Sequence, residues 1–220
     1  MFAIDHAATA LLVKRRFPSV PMAPLLISVQ AMELAWVGLN WLGVERTTTE
    51  ATVNSVADIH LAYMPYSHSA ATAVGAALVA WLVLEKGFGR AALGRAVGIG
   101  IASHLVLDLL THAHDIALWP GLSSPHLGLG LYDRAPMGAF VVELLYGVLC
   151  WWMYARSGGT ARSRSRALLA TIVFFNVANL SFLSAAIPGP EQWLAGHPLM
   201  IVTVVFVQIV VTLSLVWRFS

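Results

Sequence analysis

Histidine and carboxylate side chains are the groups in this chain that could ligate a metal or move a proton, and they gather in few places. The densest is Ser103-His104-Leu105-Val106-Leu107-Asp108-Leu109-Leu110-Thr111-His112-Ala113-His114-Asp115. His104, Asp108 and His112 stand four residues apart, and Asp115 follows three later. At 3.6 residues per turn these four form one helical stripe about 80° wide. The order His-x3-Asp-x3-His offers imidazole nitrogens and a carboxylate oxygen, a donor set suited to a divalent metal. The flanking residues are apolar, so the stripe lies in a segment that reads as membrane-spanning. Ionisable groups are costly there and serve a function by default.

Other groups could join it. Glu33 lies halfway along the first apolar segment with Gln30 on nearly the same face, and Glu143 stands about two turns into the fourth. His68, in Pro65-Tyr66-Ser67-His68-Ser69, caps the second, and His6 sits on a short N-terminal helix. Plainer readings exist. Ser67 is a good N-cap, with His68 a first-turn residue at a wet interface. His104 could bridge two helices by a hydrogen bond, and Asp108 could pair with an arginine for assembly. Yet no Lys or Arg falls at comparable depth in any span. Asp108, Glu33 and Glu143 are therefore protonated, paired with histidine, or bound to a metal. Metal or catalytic use is the favoured reading of the stripe. His60, His126 and His197 read as solvated loop residues, and His114 points off the stripe.

The elements that must position these groups are helices. The 220 residues are 58% hydrophobic and 11% charged, with mean hydropathy +0.74; soluble domains are about 25% charged. This predicts an integral membrane protein in contact with the lipid bilayer, an all-α polytopic bundle of about six transmembrane helices. The spans are expected at about Met22–Val44, Ser69–Glu85, Ala92–His112, Pro136–Tyr154, Ala167–Ile187 and Pro198–Trp217, each near the ~20 residues that cross a bilayer. Residues 2–13 predict a further helix too short to cross, re-entrant or packed against the bundle. One domain covers 1–220; 1–145 carries the candidate metal site, and 167–217 holds two generic spans. A net charge of +2 excludes a nucleic-acid partner, and the single Cys150 cannot form an intramolecular disulfide. No signal peptide is expected. If the six spans alternate, 11 of the 13 Lys and Arg residues fall on one side and only Arg46 and Arg134 on the other. The positive-inside rule then puts the C-terminus in the cytoplasm and the polar stripe toward the outer side. The eight tryptophans, Trp36 among them, mostly fall near span ends, as an interfacial belt would.

The motifs resemble a known family. Pro65-Tyr66-Ser67-His68-Ser69, Ser103-His104-Leu105-Val106-Leu107-Asp108 and His112-Ala113-His114-Asp115-Ile116-Ala117-Leu118-Trp119-Pro120-Gly121 look like the small bacterial inner-membrane proteins described as predicted membrane-bound metal-dependent hydrolases, the group of the LexA-regulated YdjM type. Asp5-His6, Leu42-Gly43-Val44-Glu45, Gly128-Leu129-Gly130-Leu131-Tyr132 and Glu143 extend the likeness over about residues 1–145. The resemblance implies His6, His68, His104, Asp108 and His112 as the metal set, with Asp115 and Glu143 as supporting or acid–base groups. The family pattern has an aspartate in the first span where this chain has Glu33, one methylene longer.

The resulting expectation is a zinc-like site with about three protein ligands and an open position. His and carboxylate groups of the third span would be joined by His68 or His6, with Glu143 or Glu33 as general base. Ser67, Ser103, Thr111 and Asp115 would orient the imidazoles. A site beneath the outer leaflet favours an amphipathic substrate, such as a lipid ester or phosphoester. Two other classes compete: an ion, proton or metal conduit, expected to show inverted repeats and broken helices, and a non-catalytic scaffold that binds no metal.

Overall fold

The computed structural model describes residues 1–121, 123–158, 161–187, 189 and 193–220. Nine helices are present among the described residues. Helix α1 (Ala3–Arg16) is followed by α2 (Met22–Val29) and α3 (Ala31–Trp41), then by a hairpin of β1 (Arg46–Thr49) and β2 (Ile59–Tyr63). α4 (Ala70–Leu82) and α5 (Ala91–Thr111) come next, with a short pair β3 (Ile116–Ala117) and β4 (His126–Leu127). The small helix α6 (Leu131–Arg134) leads into α7 (Pro136–Ala155), α8 (Arg162–Ala178, extended by a 3-10 turn to Leu183) and α9 (Pro198–Phe219). Both strand pairs lie in segments whose sequence reads as loop.

Among the described residues five helical stretches are long and apolar enough to cross a membrane: Ala70–Gly87, Ala91–Thr111, Pro136–Ala155, Arg162–Leu183 and Pro198–Phe219. The first expected span differs. It is broken at Gln30 into α2 and α3, bent by 58°. Local sequence does not mark this break, since neither Pro nor Gly is near Gln30. Tertiary partners account for it. The Val29 carbonyl accepts from His104 Nδ1 at 2.9 Å, and Gln30 Nε2 donates to the Ala3 carbonyl at 2.8 Å. Side chains drawing on backbone groups in this way are a recognised origin of kinks.

Helix α1 is the axis of the bundle. Ile4, Ala7, Ala8, Ala10 and Leu11 are all fully buried, and α1 touches α2, α5, α7, α8 and α9. Its alanines let the neighbouring helices approach closely, and it also buries the polar side chains Asp5, His6 and Thr9. At about 1.5 Å per residue its 14 residues are too short to span. Its last turn carries Lys14, Arg15 and Arg16, favourable against the helix dipole. The apolar cluster there joins Val13, Met22, Tyr154, Leu168 and Val216, so the basic residues of α1, the α7–α8 connection and the end of α9 share one end. Phe2, Tyr132, Ala139 and Leu183 cluster at the other.

Two glycines bring the site elements together. At Gly100 a Cβ would collide with Ser28 Oγ, so α5 lies directly on α2, one turn before His104. At Gly128 (φ +136°) a Cβ would strike the Ala113 carbonyl. The adjacent amides close the end of α5: Leu129 donates to Leu109 at 2.8 Å and Gly130 to His112 at 2.6 Å. These bonds satisfy carbonyls that a helix end leaves open.

Candidate metal centre

Four predicted residues from three parts of the chain converge. Glu33 comes from the first turn of α3, His68 from the segment before α4, and His104 and Asp108 from successive turns of α5. Each offers one ligand atom, all within 4.8 Å of one another. His68 Nε2 and His104 Nε2 each lie 3.6 Å from Glu33 Oε2, and His104 Nε2 lies 2.9 Å from Asp108 Oδ2. His68, His104 and Asp108 are buried, and Glu33 is partly so.

Both imidazoles are held in one tautomer. A backbone carbonyl only accepts, so His104 carries its proton on Nδ1, bonded to Val29. Ser67 Oγ donates to Glu45 Oε2 and lies 3.0 Å from His68 Nδ1. With its own hydrogen committed, Ser67 accepts from His68, which also carries its proton on Nδ1. Glu45 is itself held by the amides of Tyr66 and Ser67, each at 2.9 Å. Backbone pairing seats the whole segment against the end of α5: Ala117 donates to the His68 carbonyl at 2.9 Å and Ala71 to Leu118 at 3.0 Å. Burial, only partly offset by Glu33, lowers the pKa of His68 and favours the neutral ring.

In its neutral form each ring, with Nδ1 engaged, turns its Nε2 lone pair toward a carboxylate; a protonated ring would instead pair with it. Lone pairs facing anions repel unless a cation lies between them. The 2.9 Å contact does not meet hydrogen-bond geometry, and His104 Nε2 has no hydrogen-bond partner among the described residues. The 3.6 Å contacts are too long for hydrogen bonds. Tetrahedral bonds of about 2.0–2.1 Å set ligand atoms about 3.3–3.4 Å apart. Three of the six separations, 2.9, 3.6 and 3.6 Å, straddle that value, and the group as a whole lies within 4.8 Å. By donor type and proximity the group could therefore hold a metal ion.

The other predicted residues surround this group. His6 stacks on His104 (centroids 4.0 Å, planes 17°) and puts Nε2 3.1 Å from Asp108 Oδ1. The Met1 amine also donates to Asp108 Oδ1 at 2.8 Å and to Thr111 Oγ1 at 2.6 Å. His112 lies just past the last residue of α5, in extended backbone. Its Nε2 is 3.9 Å from Asp108 Oδ1, and its Nδ1 is 3.4 Å from Asp115 Oδ1. Burial opposes charge on His112, but Asp115 and Asp108 outweigh it and raise its pKa. Glu143 is farther back. It is fully buried and accepts from the Tyr132 hydroxyl at 2.6 Å; Tyr132 stands beside His112, ring centroids 6.4 Å apart. His60, His126 and His197 are exposed, as expected of solvated loops, and so is His114.

Sequence reasoning did not single out Glu45 or Trp36 as site groups. Glu45 lies 22 residues from Ser67 with no periodic relation to it. Trp36 counted as part of the interfacial belt. It is instead buried, edge-on to His68 at 6.5 Å, and its i+3 spacing from Glu33 is the signal that links it to the site. A cavity of about 130 Å³ adjoins the group, with His6, Glu33, His68 and His112 in its wall.

No family model, curated protein or solved structure matches this chain. The likeness of its short motifs to the hydrolase family therefore assigns no family, and function is read from the centre itself.

Proposed function

We propose that this is a membrane-embedded metal-dependent hydrolase, acting on an ester or phosphoester of lipid-like character. Glu33, His68, His104 and Asp108 would hold the ion, and two imidazoles with two carboxylates favour zinc. The observation that carries this reading is the convergence of two Nε2 atoms, each ring engaged elsewhere through Nδ1, with two carboxylates, the ligand atoms all within 4.8 Å of one another. Asp108 meets the Met1 amine, whereas Glu33 has no Lys, Arg or amine partner among the described residues, and a buried carboxylate without a cation costs several kcal/mol. Bound metal would supply Lewis acidity and a water of lowered pKa.

The chain's own residues divide the remaining work. Glu33 serves as a ligand rather than as the free base considered from sequence. His112 lies in the cavity wall with Asp115 at its far nitrogen, placed to take a proton and return it to a leaving group. Glu143 acts only through Tyr132, holding that phenol beside His112. The chain works as one domain over 1–220. The motif likeness suggests a bacterial inner membrane, and by charge the C-terminus is cytoplasmic with the centre toward the outer side.

One observation favours a conduit: the break in the first span lies beside the centre, as in transporters. Against it, the path toward the basic end is packed with Leu11, Leu25, Leu168 and Ile172, all fully buried.

The test is elemental analysis and turnover on the full chain, purified in detergent. Stoichiometric metal is expected, with hydrolysis of fluorogenic esters or phosphoesters lost on chelation and restored by zinc. Stoichiometric metal without turnover on either class would overturn the hydrolase reading and leave the centre standing. Metal flux into proteoliposomes without turnover would establish the conduit.

A further inference from the structure

The cavity beside the centre has two characters. Its lining carries His6, Glu33, His68 and His112, and apolar side chains such as Leu61, Ile201 and Val205 make up much of the rest of its wall. Val204 belongs to that wall and also to an exposed stripe on α9. Val204, Val207 and Val211 stand at i, i+3 and i+7 and are 40%, 54% and 42% exposed. This wall is thus shared with the surface that α9 turns toward lipid.

A second observation concerns hydrogen bonding. Trp36 Nε1 and Asn179 Nδ2 are buried and have no hydrogen-bond partner among the described residues, and both residues line this cavity. The Asn179 amide is oriented, because its Oδ1 accepts from Gln208 Nε2 at 2.7 Å. Both free atoms are donors. An unmet buried donor is costly, and neither belongs to the four-residue group. They call for acceptor oxygens brought by an occupant.

We propose that the cavity binds a single-chain amphiphile whose oxygen-rich head lies at the centre and at Trp36 and Asn179, and whose one hydrocarbon chain lies along α9. The proposal rests on the hydrolase reading for its choice of head group, a phosphoester or ester. Volume sets the chain number: 130 Å³ is room for about four waters, enough for a head group or the first carbons of one chain and too little for two. A small hydrophilic ester would leave the apolar wall uncovered. A two-chain lipid would have to leave one chain outside.

Binding to the full chain in amphipol tests this, read by calorimetry with alkyl phosphates from ethyl to dodecyl. Inorganic phosphate and dialkyl phosphates are the comparison probes. Affinity should rise about fourfold per added methylene and then level off when the cavity is full. The dialkyl probes should bind no tighter than single-chain ones. Trp36→Phe, which keeps the ring and loses the N–H, should weaken dodecyl phosphate about tenfold at unchanged metal content. Val205→Trp should remove the chain-length dependence; the wild-type series stands alone should that variant not fold. Equal affinity for inorganic and dodecyl phosphate, or a rise without a plateau, would overturn the proposal. If metal binds but chain length has no effect, the cavity assignment fails and the hydrolase reading survives. If metal never binds but the chain-length series persists in metal-free protein, the reverse holds.

Discussion

Two buried polar centres flank α1, and they are built from different materials. On one side Glu33, His68, His104 and Asp108 set two imidazoles against two carboxylates. On the other, Asp5 meets the Asn176 amide at 3.4 Å and Glu143 the Tyr132 hydroxyl at 2.6 Å. Both centres bury carboxylates in an apolar bundle. In the second, each carboxyl faces a donor and, among the described residues, no imidazole nitrogen opposes it, so a neutral carboxyl is an adequate solution. In the first, lone pairs face anions, which only a cation or added protons can relieve. Burial of acids does not by itself make a metal centre; the tautomers of the neighbouring imidazoles do.

Removing a ligand should separate the two centres most sharply. Asp108→Ala or His104→Ala should weaken metal binding about a hundredfold or more, since about 10–16 kcal/mol of site energy shared by four ligands is ~3 kcal/mol each. Titration with a competing chelator reads this. Bound metal unchanged in Asp108→Ala would remove Asp108 from the ligand set.

A smaller effect is expected from Glu45→Ala and Ser67→Ala. They touch no ligand atom of the centre but release the His68 tautomer, and such partners typically change metal affinity about 10–100-fold. Full occupancy should return at high metal concentration, and the His68 ring should then show mixed tautomers by ¹⁵N NMR. Wild-type affinity with an unchanged tautomer would break the proposed chain from Glu45 to His68.

The smallest effect should come from the second centre. Glu143→Gln and Asp5→Asn should leave metal affinity within about threefold, because neither contacts the ligand group. Stability should move by about 1 kcal/mol, the scale of one hydrogen bond, read by thermal unfolding. A large loss of metal in either variant would merge the two centres into one.

The stripe on α5 was legible because helical spacing is periodic: His104 and Asp108 share a face wherever the helix goes. The apolar lengths likewise marked the long spans, and the basic residues marked the shared end. Other features were not legible, and for physical reasons. The break at Gln30 arises from His104 and Ala3, distant in sequence, so nothing near residue 30 announces it. His112 and Asp115 lie beyond the end of α5, where helical spacing no longer fixes direction. Glu45 reaches His68 through a loop contact with no period. Trp36 resembles any interfacial tryptophan until the fold places it against the centre.

The central claim is that Glu33, His68, His104 and Asp108 close on one cation. Zinc K-edge absorption on the purified, zinc-loaded chain tests it most directly. The account predicts one ion per chain with two imidazole nitrogens and carboxylate oxygens at about 2.0–2.1 Å, and loss of that signal in His104→Ala. A chain that takes up no zinc, or zinc surrounded by water oxygens without imidazole scattering, would contradict it.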